Sequence, residues 1–375
     1  MKKKICFVAS AQYPVSAFLI NHIRELSKKY NVSLIVNTND VEFLSYAGIN
    51  IKVFPVNISR NIDLINDLKS FITITLIIRR NKFSAVHSIT PKAGFLAMMA
   101  AFINFTPLKI HTFTGQIWAP LFGTKRYFLK LFDKFIAFFS DHNIVDSQSQ
   151  LDFLLLENVL NTNNSYVFGN GSVSGVDVNR FKFKKSIRTK TRKELSIPDN
   201  AFVFIFLGRL KLDKGVIDLA KAFSSLPNKN CFLLFVGPDE GAMMKKIRFI
   251  CKEKLDFLRF VDFTKYPENY LNASDTLALP SYREGFGSVI IEAASIGIPS
   301  IGSNIYGISD AIVDRKSGFL HNPGDIDQIS QFMIKLSGSH LLASKMGMFA
   351  KQRVNDEFDA NFITRLWLNF YEKYL

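Results

Sequence analysis

Two carboxylates stand eight positions apart in the stretch SYREGFGSVIIEAASIGIPSIGS, residues 281 to 303. Glu284 precedes a Gly-Phe-Gly turn, and Glu292 lies in the apolar segment after it, where the spacing predicts a helix beginning near Ser288. The apolar run 276–279, just before this stretch, is typical of a strand. The sequence therefore places one carboxylate after a strand and the other about one turn inside the next helix.

A glycine turn followed by a helix is suited to binding an anion. Gly285 and Gly287 allow the backbone to approach a ligand, and the unpaired N–H groups at a helix start attract phosphate oxygens. Glu292 is close enough to that start to reach hydroxyl groups beside the phosphates. Carboxylates on either side of a diphosphate describe a nucleotide-sugar site. The alternative is a turn glutamate and a helix glutamate that meet this spacing by chance.

Two cations follow another predicted strand, at 202–207. Arg209 comes directly after Gly208, and Lys214 precedes Gly215, where a helix is predicted to begin. A guanidinium can bind two phosphate oxygens at once, and an ammonium at a helix start can bind the same anion as a point charge. These residues fit the rest of a diphosphate site, and solvated loop charges are the alternative.

The elements that would position these residues alternate along the whole chain, short β-branched runs with longer segments of helical period. The predicted strands are 5–10, 32–37, 51–56, 85–88, 109–113, 143–146, 165–168, 202–207, 231–236, 258–261, 276–279 and 300–302. The predicted helices are 15–29, 62–80, 92–105, 126–140, 216–226, 241–253, 267–272, 288–297 and 358–375. This α/β alternation predicts parallel sheets covered on both faces, with ligands at the carboxyl ends of the strands.

The length of 375 residues predicts two domains, since domains cluster at about 100 to 200 residues. A turn-rich stretch at 169–177 and a basic run at 180–193 predict the linker. We therefore expect Rossmann-like domains at 1–182 and 183–355 that face each other across a cleft. A final helix at 356–375 is expected to pack back on the first domain.

The net charge of +15 favours anionic partners. Residues 1–135 carry 18 Lys and Arg against six Asp and Glu, which we interpret as a face for an anionic bilayer surface. Nucleic acid is the rival partner, but no recognition helix or RNA-binding signature is present, so none is expected. Cys6, Cys231 and Cys251 show neither a disulfide framework nor metal-ligand spacing, which fits a reducing cytoplasm.

Two apolar segments bear on membrane attachment. The segment 127–140 mixes lysines with phenylalanines at helical spacing and is either a core-facing helix or a membrane-surface helix. The charge-free stretch 93–108 is shorter than the roughly 18 to 20 residues that span a bilayer. No transmembrane anchor is therefore expected, and the start of the chain is interpreted as a first strand.

In combination, Gly208-Arg209, Lys214-Gly215 and the segment Glu284 to Glu292 resemble the donor-site signature of retaining family-4 glycosyltransferases of GT-B fold, including their E-x7-E motif. The segments VHSITPKAGFLAMMAA, IHTFTGQIWA and GNGSVSGVDVNRF are similar to the subgroup that builds bacterial O-antigen (lipopolysaccharide) and capsule repeat units on a polyprenyl diphosphate. The resemblance covers essentially the whole chain.

The resemblance implies a reaction and a place for it. A hexose or N-acetylhexosamine would move from a nucleotide-diphosphate sugar to a polyprenyl-diphosphate-linked saccharide. The nucleotide would be UDP, as is common in the family. Anomeric configuration would be retained, and no metal cofactor would be required. The enzyme would be cytoplasmic and peripheral on the cytoplasmic face of the inner membrane. A nucleotide-sugar 2-epimerase has the same two-domain architecture and is the alternative, although the paired glutamates argue against it.

The resemblance also assigns roles. Arg209 and Lys214 would hold the diphosphate and stabilise the charge that develops on it, and Glu284 would orient the sugar hydroxyls, so these three are the expected catalytic residues. Glu292 would bind the ribose. The implied donor site comprises Gly208, Arg209, Lys214, Phe263, Thr264, Glu284, Gly285, Phe286, Gly287, Ser288, Val289 and Glu292. The formal D-x-D at Asp325 is interpreted as a helix cap, not a metal site.

The amino half departs from the family pattern. Where many members present a histidine near the reacting sugar, this chain has Thr114-Gly115, and His111 lies upstream on a predicted strand, where it could be a core residue. Lys92, at a predicted helix start, is the candidate contact for an acceptor phosphate, with a solvated charge as the alternative. Lys92, Thr114 and Gly115 are therefore the expected acceptor residues.

Overall fold

The computed structural model describes residues 2–59, 63–227 and 230–375. The chain divides into two compact units, one comprising residues up to Ser174 together with Ala360–Leu375, the other Gly175–Asp359. The boundary between the units thus lies after Ser174, whereas the sequence pattern places the domain boundary after residue 182. No helix in these described ranges combines the length and apolar composition needed to cross a bilayer.

The first unit is built on a seven-stranded sheet in which all neighbours are parallel. The strands are β1 (Lys4–Ala9), β2 (Asn31–Val36), β3 (Lys52–Pro55), β4 (Ala85–Ile89), β5 (Leu108–Phe113), β6 (His142–Val145) and β7 (Ser165–Val167). Their order is β3-β2-β1-β4-β5-β6-β7, so the direction of winding reverses between β1 and β4. All seven predicted strands are confirmed to within one residue at each end.

Helices cover both faces of this sheet. They are α1 (Gln12–Pro14), a π-helical turn (Val15–Leu19), α2 (Ile20–Lys29), a 3-10 turn (Ser45–Ala47), α3 (Leu64–Asn81), α4 (Pro91–Ile103), α5 (Gly123–Phe139) and α6 (Gln148–Leu156). Residue 62, the expected start of the second helix, lies outside the described residues. The helix α6 was not predicted, because its apolar residues form a continuous run at 153–156 without helical period.

The second unit has a six-stranded parallel sheet in the order β10-β9-β8-β11-β12-β13. Its strands are β8 (Phe202–Leu207), β9 (Cys231–Val236), β10 (Leu258–Val261), β11 (Thr276–Leu279), β12 (Ser300–Ser303) and β13 (Gly318–His321). The winding reverses between β8 and β11. Five strands are confirmed as predicted, whereas β13 was missed because only two of its four residues, Phe319 and Leu320, are apolar.

The helices of this unit are α7 (Lys185–Glu194), a 3-10 turn (Leu212–Lys214), α8 (Val216–Ser224), α9 (Met243–Ile250), a 3-10 turn (Lys252–Phe257), α10 (Pro267–Ala273), α11 (Ser288–Ile296), α12 (Ile308–Ala311), α13 (Ile326–Ser337) and α14 (His340–Glu357). The linker predicted at 180–193 is wrong, because most of it forms α7. Its arginines are not solvated: Arg188 and Arg192 form ion pairs of 2.7 and 2.8 Å with Asp275.

The last helix, α15 (Ala360–Tyr374), belongs to the first unit, so its expected packing on the first domain is confirmed. Its Trp367 is fully buried and stacks on His22 and His87, with ring centroids 4.4 and 5.0 Å apart. Burial lowers the pKa of His22 to about 4 and that of His87 well below its ordinary value. Both rings are therefore neutral, and His87 Nδ1 lies 2.7 Å from the Tyr371 hydroxyl.

Candidate functional site

The two predicted phosphate-binding motifs follow β8 and β11, the strands at which the winding of the second sheet reverses. Their loops touch directly. A Cβ atom on Gly215 would lie 2.0 Å from the carbonyl oxygen of Pro280, and Gly215 has a φ of +67° that favours glycine. The Tyr282 N–H donates to the Asp213 carbonyl over 2.9 Å. In open parallel sheets this reversal point is where ligands bind.

Lys214 and Glu284 meet where these loops join. Nζ of Lys214 lies 2.7 Å from Oε1 of Glu284, and both side chains are mostly buried. Ser281 donates its hydroxyl to the same oxygen over 2.8 Å. Among the described residues Oε2 of Glu284 accepts no hydrogen bond, so it is available to a hydroxyl group of a ligand. The carboxylate thus has a fixed orientation and one open acceptor.

Arg209 is held from a third loop, the one after β9. Its Nη1 lies 3.0 and 3.2 Å from the two carboxylate oxygens of Glu240, and about a third of each side chain is exposed. A Cβ on Gly237 would lie 2.1 Å from the Gly208 carbonyl oxygen, which fixes the backbone that presents Arg209. A guanidinium has five N–H donors, so this pairing leaves donors for phosphate oxygens. Glu240 was not predicted, although its position after a strand was a usable signal.

The Gly-Phe-Gly turn leads into α11 as expected. Gly287 precedes the helix with a φ of +75° and no side chain caps its first turn. A Cβ on Gly307 would lie 2.2 Å from the Gly285 carbonyl oxygen, so the loop after β12 supports the turn. Phe286 is buried and packs 5.3 Å from the ring of Phe358, which leaves only its backbone for a ligand. The first N–H groups of the helix, at Ser288 and Val289, suit an anion.

Glu292 lies one turn into α11. Burial raises the pKa of this carboxyl to about 7, while Arg180 lowers it and Glu268 raises it. Arg180 Nη2 lies 2.9 Å from the Glu268 carboxylate. These two residues were missed, because nothing in the sequence relates the loop before α7 to α10 and α11.

The loop after β10 carries Phe263 and Thr264 at the same edge of the sheet. Phe263 is 66% exposed, and the Thr264 hydroxyl accepts from the Tyr266 N–H over 3.0 Å. An exposed aromatic ring offers a stacking surface for a base. The position of this loop is compatible with the predicted contact to the nucleobase, which stays a prediction.

Comparisons with known proteins bear on both halves of the chain. Residues 187–353, which include Arg209, Lys214 and both glutamates of the predicted site, match the family described as "Glycosyl transferases group 1". Residues 4–118 match "Glycosyl transferase 4-like". The chain belongs to the glycosyltransferases.

Relatives of this glycosyltransferase align along most of their length. It is 29% identical to the capsular polysaccharide biosynthesis glycosyltransferase CapM of Staphylococcus aureus, over 94% of this chain and 92% of the relative. It is 27% identical to the UDP-Gal:alpha-D-GlcNAc-diphosphoundecaprenol alpha-1,3-galactosyltransferase of Escherichia coli, over 84% and 82%.

Solved structures show the same fold. Anabaena HepE, in complex with UDP, has a TM-score of 0.83 at 19% identity, with 99% of this chain and 100% of that chain covered. WaaG, a glycosyltransferase involved in lipopolysaccharide biosynthesis, has a TM-score of 0.76 at 13% identity, with 96% and 98% covered. The fold of this glycosyltransferase is therefore GT-B, as the sequence motifs indicated.

In the first unit of the glycosyltransferase, Lys92 is not a solvated charge. Its Nζ lies 2.5 Å from Asp67 Oδ1 and 3.1 Å from the Ser59 hydroxyl. Thr114 and Gly115 follow β5, and Gly115 has a φ of +103°. These three residues stay the predicted acceptor contacts.

The surroundings of His111 decide whether it is a core residue. The ring is buried, its Nδ1 lies 2.7 Å from the Ser88 hydroxyl, and a Cβ on Gly94 would lie 2.4 Å from its Cε1. Burial lowers the pKa of His111 to about 3. It is a neutral core histidine of the glycosyltransferase, packed between β5 and α4.

The D-x-D segment of the glycosyltransferase has the structural role expected of it. The Asp325 side chain caps α13, accepting from the Gln328 N–H over 2.9 Å. Within the described ranges, no three His, Cys, Asp or Glu side chains are grouped as metal ligands.

Proposed function

We propose that this glycosyltransferase moves a hexose or N-acetylhexosamine from a UDP-linked sugar to a saccharide carried on polyprenyl diphosphate, in capsule or O-antigen assembly. The observation that carries the proposal is the ion pair of Lys214 and Glu284 at the reversal point of the second sheet, with Arg209 on the same loop as Lys214. This grouping supplies cations for a diphosphate and an oriented carboxylate for sugar hydroxyls. The name of the E. coli relative supports the class of donor and acceptor, and that of the S. aureus relative supports a role in capsule assembly.

The charges fit the bond that breaks. When the anomeric C–O bond cleaves, its electron pair goes to the leaving diphosphate and the sugar gains oxocarbenium character. Arg209, Lys214 and the N–H groups at the start of α11 would stabilise that diphosphate, and fixed donors of this kind contribute several kcal/mol to transition-state stabilisation. We propose that the reaction requires no metal ion.

Retention of anomeric configuration is also proposed, by reaction on one face of the sugar. Oε1 of Glu284 already accepts from Lys214 and Ser281, which favours an orienting carboxylate over a nucleophile. The acceptor hydroxyl would then attack from the side of the leaving group and give its proton to a phosphate oxygen. A double displacement would instead require a carboxylate that attacks the anomeric carbon.

The acceptor implies a place of action. A polyprenyl-linked saccharide is held in a bilayer, so we propose that the enzyme works peripherally at the cytoplasmic face of the inner membrane. Lys92, Thr114 and Gly115 are the proposed acceptor contacts. The Lys92 ammonium is paired with Asp67, so it would share its charge with an acceptor phosphate.

A transfer assay tests the proposal. The enzyme would be incubated with a panel of labelled UDP-hexoses and UDP-N-acetylhexosamines and with a GlcNAc-diphosphoprenol acceptor. The expected result is label in the lipid-linked product, with the donor's anomeric configuration by NMR, and no change of the donor without acceptor. An isomerised nucleotide sugar formed without acceptor would instead show an epimerase, and no turnover with any UDP-sugar would contradict the proposed donor.

A further inference from the structure

The outward side of α3 carries a row of exposed aliphatic residues. Ile65, Leu68, Ile72 and Leu76 are 70%, 59%, 50% and 42% exposed, and their spacing of three and four places them on one side of the helix. The opposite side is buried through Ile74 and Ile78 in the core of the first unit. The exposed side of a helix is normally polar, so this row is not explained by the packing of the unit itself.

The outward side of α5 is aromatic. Its exposed residues are Tyr127, Phe128, Phe132, Phe135 and Phe138, at 64%, 59%, 40%, 44% and 76%. The helix faces the core through Ile136, which is completely buried. Of the two interpretations left open for 127–140, a core-facing helix accounts for one side of α5 and does not explain the exposed aromatic residues of the other.

The helix α4 joins these two rows on one side of the sheet. The ring of Phe95 in α4 packs 5.2 Å from that of Phe132 in α5, and Asn104 after α4 donates to the Thr75 carbonyl in α3 over 3.2 Å. Beyond the end of α4, Phe105 is 91% exposed. We call the outward sides of α3 and α5, with the carboxyl end of α4 between them, the α3/α5 face.

The ionised groups of the α3/α5 face are predominantly basic. Six cations on or next to these helices form no ion pair within the described part of the chain: Lys69, Arg79, Arg80, Lys82, Lys125 and Lys134. The nearby carboxylates are all engaged. Asp67 pairs with Lys92, Glu157 with Arg126 and Lys130, Asp133 is buried and accepts from the Trp118 indole N–H, and Asp63 caps α3.

We propose that the α3/α5 face is the membrane-docking surface of this enzyme, with its aromatic and aliphatic side chains inserted among the headgroups of an anionic bilayer. The proposal rests on the proposed function, since a lipid-linked acceptor must be met at a bilayer. Large apolar side chains interleaved with lysine and arginine are typical of helices that lie in the membrane interface. Interfaces between proteins are depleted in lysine, which favours lipid over a second copy of this chain.

Vesicle flotation tests the surface with matched variants. The probes are phosphatidylethanolamine vesicles with and without phosphatidylglycerol, at low and moderate salt. Binding should require phosphatidylglycerol and should fall at least about tenfold in Phe128→Ser/Phe138→Ser and in Leu68→Ser/Ile72→Ser, because inserted apolar groups are lost. Phe249→Ser/Leu341→Ser is the control, since these residues of the second unit are 80% and 67% exposed. The fraction of this control variant that floats with the vesicles should equal that of the parent enzyme.

A fluorescence reporter tests insertion itself. The chain has two tryptophans, Trp118 and Trp367, and both are buried. Phe138→Trp would therefore add an exposed indole, whose emission should shift to the blue on vesicles containing phosphatidylglycerol. Phe249→Trp is the matched control and should show no shift. Equal shifts for both variants, or none for Phe138→Trp, would overturn the proposal.

UDP titration of each variant separates this proposal from the proposed function. All variants should bind UDP like the parent enzyme. A parent that binds UDP but not anionic vesicles, or one that forms a dimer which the Phe128→Ser/Phe138→Ser change dissociates, would overturn the membrane surface alone. A parent that binds vesicles but no nucleotide would contradict the proposed function and leave the surface standing.

Discussion

The ammonium of Lys214 lies 2.7 Å from a carboxylate oxygen of Glu284, although the two residues are 70 positions apart in the chain. The pairing is built by the backbone, because Gly215 allows the loop after β8 to pass within contact of Pro280 after β11. Charges held in place before the reaction need no reorganisation during it, and this is the main source of electrostatic catalysis.

A double-mutant cycle on Lys214 and Glu284 measures this relationship. We expect Lys214→Ala and Glu284→Ala each to lower the free energy of unfolding by about 1–3 kcal/mol, because each leaves a mostly buried partner unpaired. The double variant should cost little more than either single change. The measurement is urea unfolding. The exposed pair Lys190 and Glu194 is the control, and its double alanine variant should change little; strict additivity at 214 and 284 would contradict the contact.

Glu284 is expected to act on the sugar and not on the nucleotide. Glu284→Gln should lower kcat by about 10²-fold, since an oriented charge near the reacting sugar is lost. Its affinity for UDP, which lacks the transferred sugar, should stay within a few-fold of the parent. Steady-state kinetics and calorimetry give the two values. Mass-spectrometric detection of a glycosyl group on Glu284 would contradict the orienting role.

The affinity for a UDP-sugar should depend on pH through Glu292. Since the pKa of this carboxyl is raised to about 7, it is largely protonated at pH 6 and ionised at pH 8. The ionised form is the better acceptor for ribose hydroxyls. Binding should therefore strengthen from pH 6 to pH 8, and Glu292→Gln should flatten the profile. A UDP-sugar is used because its diphosphate does not titrate in this range, and Glu253→Gln is the surface control.

The same carboxyl should make stability depend on pH. Its pKa in the folded state is about 7 against an ordinary 4.5, so the neutral form's contribution is complete below 4.5 and is lost as pH rises through 7. The Tm of Glu292→Gln should therefore match the parent at pH 4.5 and exceed it at pH 8. An equal Tm difference at both pH values would contradict the raised pKa.

Asp325 should matter for stability and not for catalysis. Asp325→Ala removes the cap of α13 and should cost about 1 kcal/mol of unfolding free energy with kcat unchanged. Asp327→Ala is the matched control, because Asp327 lies in the first turn of the same helix and does not cap it. Because the proposed reaction requires no metal ion, EDTA should leave the activity of the parent enzyme unchanged. A loss of turnover in Asp325→Ala, restored by a divalent cation, would contradict both expectations.

The motifs at 208–215 and 284–292 could be placed from sequence because their signals are local. Arg209, Lys214 and Glu284 each follow a strand or open a helix, and a parallel sheet gathers such positions at one edge. The pair of Arg180 with Glu268 was missed because it forms only where a loop and helices meet in space, whereas Glu240 was missed although it follows a strand. The basic run at 180–193 was wrongly predicted to be part of the linker for the same reason as the Arg180 pair, since Asp275, which pairs with its Arg188, is remote in sequence.

In the first unit, the sequence could not predict which side of a helix faces the core. In α3, apolar residues recur at helical spacing on two sides, at 65, 68, 72 and 76 and at 71, 74 and 78. Periodicity alone cannot decide which side faces the core, because both sides satisfy the pattern. In α5 the same ambiguity left a core helix and a membrane-surface helix open, and the structure buries one side of the helix and exposes aromatic residues on the other.

The most direct test of the central claim is calorimetric titration of the purified enzyme with UDP and GDP, repeated with Arg209→Ala and Glu292→Ala. Our account predicts that the parent enzyme binds UDP in preference to GDP. Each variant should bind about 10- to 100-fold more weakly, since a charged hydrogen bond contributes roughly 1.5–3 kcal/mol. Lys211→Ala is the control, because Lys211 lies in the same loop and is more exposed than Lys214. This variant should bind UDP like the parent enzyme. Failure to bind either nucleotide, or equal affinities in the parent and both variants, would contradict a nucleotide-sugar site at β8 and β11.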